Sequence, residues 1–132
     1  MLLLDTHVWV RWVSDPPWLS SPARAAIDRA LEAGERLQVS SISAWEVALL
    51  VTKGRLELTL EVSDWIARSE ASPSLEFVPV DNRISVASAQ LPPPLHWDPA
   101  DRIILATARG RGLRLVTADR RLREYPHVDT VW

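Results

Sequence analysis

Four acidic residues are set apart by their neighbours. Asp5 closes the apolar run Leu2-Leu3-Leu4, Glu46 follows Ser43 at capping distance, Asp101 follows Asp98-Pro99-Ala100, and Asp119 comes just after Leu115-Val116-Thr117. Carboxylates that converge form a donor set for a hard divalent cation such as Mg²⁺ or Mn²⁺, with one or two binding directly and waters completing the sphere. A cation held in that way lowers the pKa of a water and polarises a phosphoryl oxygen. Each acid also has a local explanation. Ser43-x-x-Glu46 has the form of a capping box, Asp101 is third after an Asp98 cap, and Asp5 and Asp119 can cap the helices behind them. Taken singly, a cap is the better account of each.

The elements decide whether the four meet. Leu2–Leu4 reads as a strand, and Val8, Trp9, Trp12 and Val13 follow at helical spacing up to Asp15-Pro16-Pro17. Ser20 or Ser21 with Pro22 opens a second helix that stops at Gly34, and Leu37–Val39 reads as a buried strand. Helices over Ser43–Lys53 and Leu60–Glu70 precede a strand at Phe77–Val80, where Pro79, lacking a backbone donor, sets a sheet edge. Asn82–Leu91 is a helix ended by Pro92-Pro93-Pro94, and Asp98-Pro99 opens another that closes at Gly110 and Gly112. Leu113–Thr117 is a strand, Ala118–Tyr125 a short helix and Val128–Val131 a last strand. Short apolar strands alternating with helices specify an α/β domain whose parallel sheet is covered on both faces. The strand order does not follow from the pattern.

Asp5, Glu46 and Asp119 all come just after strand ends. The helix of Asp101 runs into the Leu113 strand, so it must begin at the sheet's carboxyl edge. Pro92 to Trp97 can return the chain there, spanning ~19 Å as polyproline against ~15 Å of preceding helix. All four acids are therefore expected at the carboxyl edge, where open α/β folds hold their ligands. Two carboxylates ~5 Å apart repel by about 3 kcal/mol at an effective dielectric of ~20, so four together call for a cation between them.

Composition sets the outer bounds. At 132 residues, 47% hydrophobic and 24% charged, residues 1–132 make a single globular domain rather than a disordered chain or a coiled coil. The absence of cysteine excludes a disulfide scaffold, a thiolate zinc site and a cysteine nucleophile. The apolar start meets Asp5 at once and has no basic flank, so neither a signal peptide nor a spanning helix is expected, and the expected location is the cytoplasm with no membrane contact. His7, His96 and His127 are too scattered for a zinc pattern and read as structural. Arg102 to Arg123 holds seven arginines against the one acid Asp119, a net +6 within a chain of net −2. That is a solvated helical face or a phosphate-tracking patch. The seven tryptophans suit core or interface anchors better than base platforms.

Leu-Leu-Leu-Asp5-Thr6-His7-Val-Trp, Ser43-x-x-Glu46, His96-Trp-Asp98-Pro99-Ala100-Asp101-Arg102 with Ile-Leu-Ala-Thr-Ala, and Leu115-Val116-Thr117-Ala118-Asp119 are similar, in order and spacing, to PIN-domain ribonucleases, specifically toxins of the VapBC toxin–antitoxin type. The resemblance covers essentially the whole chain; Ala100 departs from it where relatives often carry Phe. It implies a PIN-like three-layer α/β/α fold with a parallel five-stranded sheet, and Mg²⁺-dependent (or Mn²⁺-dependent) endonuclease action on RNA. It also implies a homodimer and a small antitoxin protein as partner. By position, Asp5 and Asp101 would hold the metal, Glu46 and Asp119 would complete the catalytic quartet, and Thr117 would stand behind them. Asp98 would be mainly a cap, close enough to help through water. Arg102 would be the first phosphate contact on the RNA, and Trp9, Trp12 and Trp45 would suit a groove for the antitoxin.

Three other classes compete. A haloacid-dehalogenase-like phosphatase with an aspartyl nucleophile needs a second Asp where this chain has His7, and a receiver domain needs a lysine at the acids, whereas the only lysine, Lys53, ends a helix. A non-catalytic scaffold that binds only a partner is the remaining alternative.

Overall fold

The computed structural model covers residues 1–132. Five short strands, β1 (Leu2–Leu4), β2 (Leu37–Ser40), β3 (Leu75–Val78), β4 (Arg114–Val116) and β5 (Thr130–Val131), pair in the order β3-β2-β1-β4-β5, every pair parallel. The helices are α1 (Thr6–Ser14), α2 (Ser21–Glu32), α3 (Ser41–Thr52), α4 (Val62–Ala71), α5 (Asn82–Ala89), α6 (Pro99–Arg111) and α7 (Arg120–Arg123), with one 3₁₀ turn at Pro16–Trp18. None is long and apolar enough to cross a membrane.

Alternation along β1 divides the interior in two. Leu2 and Leu4 face a core built with Val8 and Trp9 of α1, Ala23 and Ile27 of α2, and Trp65 of α4. Leu3 points the other way, with Leu115 of β4, onto Ile104 and Leu105 of α6 and Leu122 of α7. The sheet is thus buried on both faces, which is why the central strand β1 is an unbroken run of leucines, while β2 and β3 carry Gln38 and Glu76 among their apolar residues.

Strands run from β1 outward to β3 on one side and then return to β4 and β5 on the other, so the order reverses between β1 and β4. A crevice opens at such a point above the carboxyl ends of the strands. The expected elements are present, with shifted ends. β3 is an edge strand, as Pro79 requires, but runs Leu75–Val78 and stops before that proline. The last strand shrinks to Thr130–Val131, α7 to a single turn, and α5 ends at Ala89 rather than Leu91.

The capping box is a correction. Helix α3 begins earlier than expected, capped by the Ser40 hydroxyl, which accepts from the amide of Ile42. Ser43 is therefore inside the helix and fully buried, and Glu46 lies one turn further along. Neither is engaged in capping, which leaves both free for the crevice.

Candidate active site at the carboxyl edge

Asp5 ends β1 and caps α1: one carboxylate oxygen accepts the Thr6 amide at 2.8 Å, and the other accepts the Thr117 hydroxyl at 2.6 Å. Thr117 follows β4 beside it, wholly buried, and its oxygen also accepts the Asp119 amide at 3.0 Å. One hydroxyl thus fixes the distance between two acid-bearing strand ends. Asp119 caps α7 through the Arg121 amide at 2.9 Å. Asp98 caps α6 through the Asp101 amide at 2.9 Å, which places Asp101 in the first turn facing the same crevice.

Glu46 arrives from α3. Its carboxyl is bonded to the Thr6 hydroxyl at 2.6 Å, and that hydroxyl lies 2.7 Å from the Ser43 hydroxyl. Thr6 has one proton to give, so an ionised Glu46 takes it and Ser43 donates to Thr6 in turn.

Two carboxyls carry the electrostatic mark of the cluster. Burial pushes Glu46 up to about 7, the Thr6 bond opposes this, and the charges of Asp5, Asp101 and Asp98 raise it further. Asp101 is also raised, first by burial, against a bond from His96, and then by Asp98, Asp5 and Asp119. Acids that perturb one another in this way share one electrostatic site.

Two imidazoles and one guanidinium sit at the rim. His96 Nε2 is 2.8 Å from Asp101 Oδ2, and His7 Nδ1 is 3.7 Å from Asp5 Oδ2. The Arg121 guanidinium bridges Asp101 at 3.7 Å and Asp119 at 3.6 Å. No three His, Asp or Glu side chains form a closed ligand cage. The donors are hard carboxylate oxygens under mutual repulsion, which suits a cation held by one or two of them and otherwise by water.

The structure brings together Asp5, Glu46, Asp98, Asp101, Asp119 and Thr117. It also adds Thr6, Ser43, His96 and Arg121, which sequence reasoning passed over or left as background. Thr6 and His96 sit next to recognised residues in the chain, and their side-chain direction only became visible with the fold.

Arg102 is corrected. It is 6% exposed, and its guanidinium donates to the carbonyls of Ser88, His96 and Ala89 while lying 4.3 Å from the Trp97 ring. It is a strut between α5, the loop before α6 and α6 itself, with no donor aimed at the crevice. The single arginine patch also dissolves. Arg109 and Arg111 end α6 at the opposite edge of the sheet, where they complement the helix dipole, and of the three arginines on α7 only Arg121 reaches the acids. Of the expected groove aromatics, Trp9 is core, with its ring N–H on Ser69 at 3.2 Å. Trp12 lines an apolar cleft of about 380 Å³ with Leu60 and Trp65, and Trp45 is exposed.

The family model for the PIN domain matches residues 2–128. The chain belongs to the PIN-domain family. This PIN domain is 38% identical to Ribonuclease VapC22 of Mycobacterium tuberculosis, an alignment covering 99% of this chain and 98% of that protein. Among solved structures, FitAcB from Neisseria gonorrhoeae superposes with a TM-score of 0.65 at 26% identity, over 98% of this chain and 96% of that one. VapBC2 from Rickettsia felis, bound to a promoter DNA fragment, gives 0.69 at 14% identity, over 98% and 96% of the two chains, and shares the fold. A three-layer PIN domain with a five-stranded parallel sheet is thus established.

Proposed function

We propose that this PIN domain is an endoribonuclease that hydrolyses RNA phosphodiester bonds with Mg²⁺ or Mn²⁺ and serves as the toxin of a toxin–antitoxin pair. The observation that carries the proposal is the meeting of Asp5, Glu46, Asp101 and Asp119 at one crevice, with Glu46 and Asp101 raised first by burial and then by their neighbours' charges. The relation to a VapC ribonuclease along the whole chain supports the same chemistry.

A divalent cation on Asp5 and Asp101 would supply Lewis acidity to a phosphate oxygen and lower the pKa of a nearby water. Glu46, poised near neutrality, takes the proton of the attacking water. Asp119 and Thr117 hold Asp5 in place, and Asp98 fixes the turn that presents Asp101. His96, bonded to Asp101, keeps that carboxylate oriented. Arg121 is exposed and close enough to leave the carboxylates for an incoming phosphate.

A small antitoxin protein is proposed as partner from the relation to a VapC ribonuclease, and a homodimer and the cytoplasm as the place of action from the resemblance of the motifs alone. The cleft of Trp12, Leu60 and Trp65 offers apolar surface for an antitoxin segment.

Incubating the purified protein with structured and unstructured RNAs in Mg²⁺, Mn²⁺ or EDTA tests the proposal. Internal cuts in the presence of metal, lost in EDTA and in Asp101→Asn, are expected. Intact RNA under all conditions would leave the non-catalytic scaffold.

A further inference from the structure

On the side of the crevice away from α3, a line of rings leads off from the acids. His7, next to Asp5, meets the edge of Trp18 with centroids 5.9 Å apart, and Trp18 meets Trp132 at 5.2 Å. Trp18 is 38% exposed, and Arg11 lies 5.1 Å from its ring. Trp132 in turn lines a cavity of about 560 Å³, which runs along the edge strand β5 between α2 and α7.

That cavity is basic. Arg114, Arg120 and Arg123 line it with Pro22, Glu124 and Thr130 among others. Arg114 is paired with Asp129 and Arg120 with Glu124 in exposed contacts, while Arg123 makes no ion pair. Exposed pairs of this kind are weak and exchange readily for a phosphate, which accepts the same forked donors.

Half-wet aromatic rings joined to a row of arginines form the surface that single-stranded nucleic acid binds, with bases on the rings and the backbone on the guanidinium groups. We propose that His7, Trp18, Trp132 and the arginine-lined cleft form a track that holds the unpaired RNA flanking the scissile bond. The inference rests on the ribonuclease reading above and adds to it the residues that hold the substrate's flank and a direction: the flank leaves the acids past His7, Trp18 and Trp132 into the arginine-lined cleft, on one side of the cut only. A duplex cannot offer its base faces to the rings, because they are stacked within it. The track also helps an acidic crevice accept a polyanion, since it adds counter-charge along the flank to that of Arg121 at the cut.

Steady-state cleavage of oligoribonucleotides lengthened from about 4 to about 16 nucleotides on one side of the cut tests this, with wild type, Trp18→Ala, Trp18→Phe and Arg123→Glu compared. In wild type, KM is expected to fall about ten-fold or more with length, and to do so on one side of the cut only. Trp18→Ala should abolish most of that fall with kcat much less affected, and Trp18→Phe should restore it. Arg123→Glu should flatten the salt dependence of binding by about 0.7 in the slope of log K against log salt. Circular dichroism and melting separate a lost ring from a lost fold, and Arg123→Glu, on an exposed turn, does not depend on that control. Equal KM at all lengths, an unaltered salt slope, or tighter binding of duplex than of single strand would overturn the track while leaving cleavage itself intact. Cleavage of RNA by none of the proteins, wild type included, would instead overturn the ribonuclease reading and the track with it.

Discussion

Glu46 is the residue on which chemistry and stability pull in opposite directions. Its carboxyl, held near 7 chiefly by burial, is protonated in the folded metal-free protein at pH values where the unfolded chain, near the ordinary 4.5, has ionised it. The resulting penalty is absent below 4.5, where both states are protonated, and fully present above about 7. Metal-free stability is therefore expected to fall as pH rises across that window, and Glu46→Gln to flatten the fall; urea denaturation in EDTA at several pH values measures it. Binding of a cation reverses the balance, because it favours the ionised form and releases the proton. Mg²⁺ affinity, read by titration calorimetry, should accordingly strengthen as pH rises through about 7, and lose most of that dependence in Glu46→Gln. The same variant should retain its fold and lose cleavage by about 10²- to 10⁴-fold, the range for removing a positioned base.

At the scale of elements, the acids are held by helix starts. Asp5, Asp98 and Asp119 are each the N-cap of the helix that follows, and Asp101 lies in a first turn. Capping and convergence, weighed against each other from sequence, are both true: a helix start points its amides at the carboxylate and, by the same geometry, at the crevice. Asp119→Asn should keep the cap and lose cleavage, whereas Asp119→Ala should also lose about 1 kcal/mol of stability, a difference that thermal melts resolve. Glu46 is the exception, and its local reading failed because the run Gln38-Val39-Ser40-Ser41 offers two other serines, one of which caps α3. Arg102 misled for a related reason. One step from Asp101 in the chain is about 100° away on a helix, and that turn takes the guanidinium inward to three carbonyls. Arg102→Ala is expected to cost about 2 to 3 kcal/mol in chemical denaturation, and Arg102→Lys to recover little, since one ammonium cannot span the three acceptors.

At the scale of the whole molecule, the sheet order β3-β2-β1-β4-β5 makes the site, because the reversal between β1 and β4 sets Asp5 and Thr117 side by side. The parallel sheet and the edge position of β3 were legible from apolar runs and from Pro79, but the order was not, since it depends on which helix covers which face. Two helices fit between consecutive strands in two ways: α1 and α2 share the face of Leu2 and Leu4, while α3 starts the crevice and α4 returns to that face. Trp9 secures this layer against Trp65 at 4.9 Å and Phe77 at 5.3 Å. Trp9→Ala should cost about 3 to 5 kcal/mol, read from denaturation midpoints, and so cannot serve as a probe of partner binding. Trp12 can serve, being half-buried at the apolar cleft.

The shared duty of the capping acids has a consequence for how such a gene decays. If the protein harms the cell that makes it, selection favours alleles that silence it, and most changes at Asp5, Asp98 or Asp119 that remove the carboxylate oxygen also undo a helix start. Glu46 caps nothing, and its side chain can therefore change so that activity vanishes while the fold and its binding surfaces persist, as Asp101, which lies in a first turn without capping it, can to a lesser degree. A saturation library grown without the restraining partner should therefore be enriched at Glu46 in folded, abundant survivors, and the survivors at the capping acids should be those that keep an oxygen acceptor, Asn above all. Silenced copies of this type would go on occupying the partner, and so would sensitise the cell to any intact copy elsewhere in its genome.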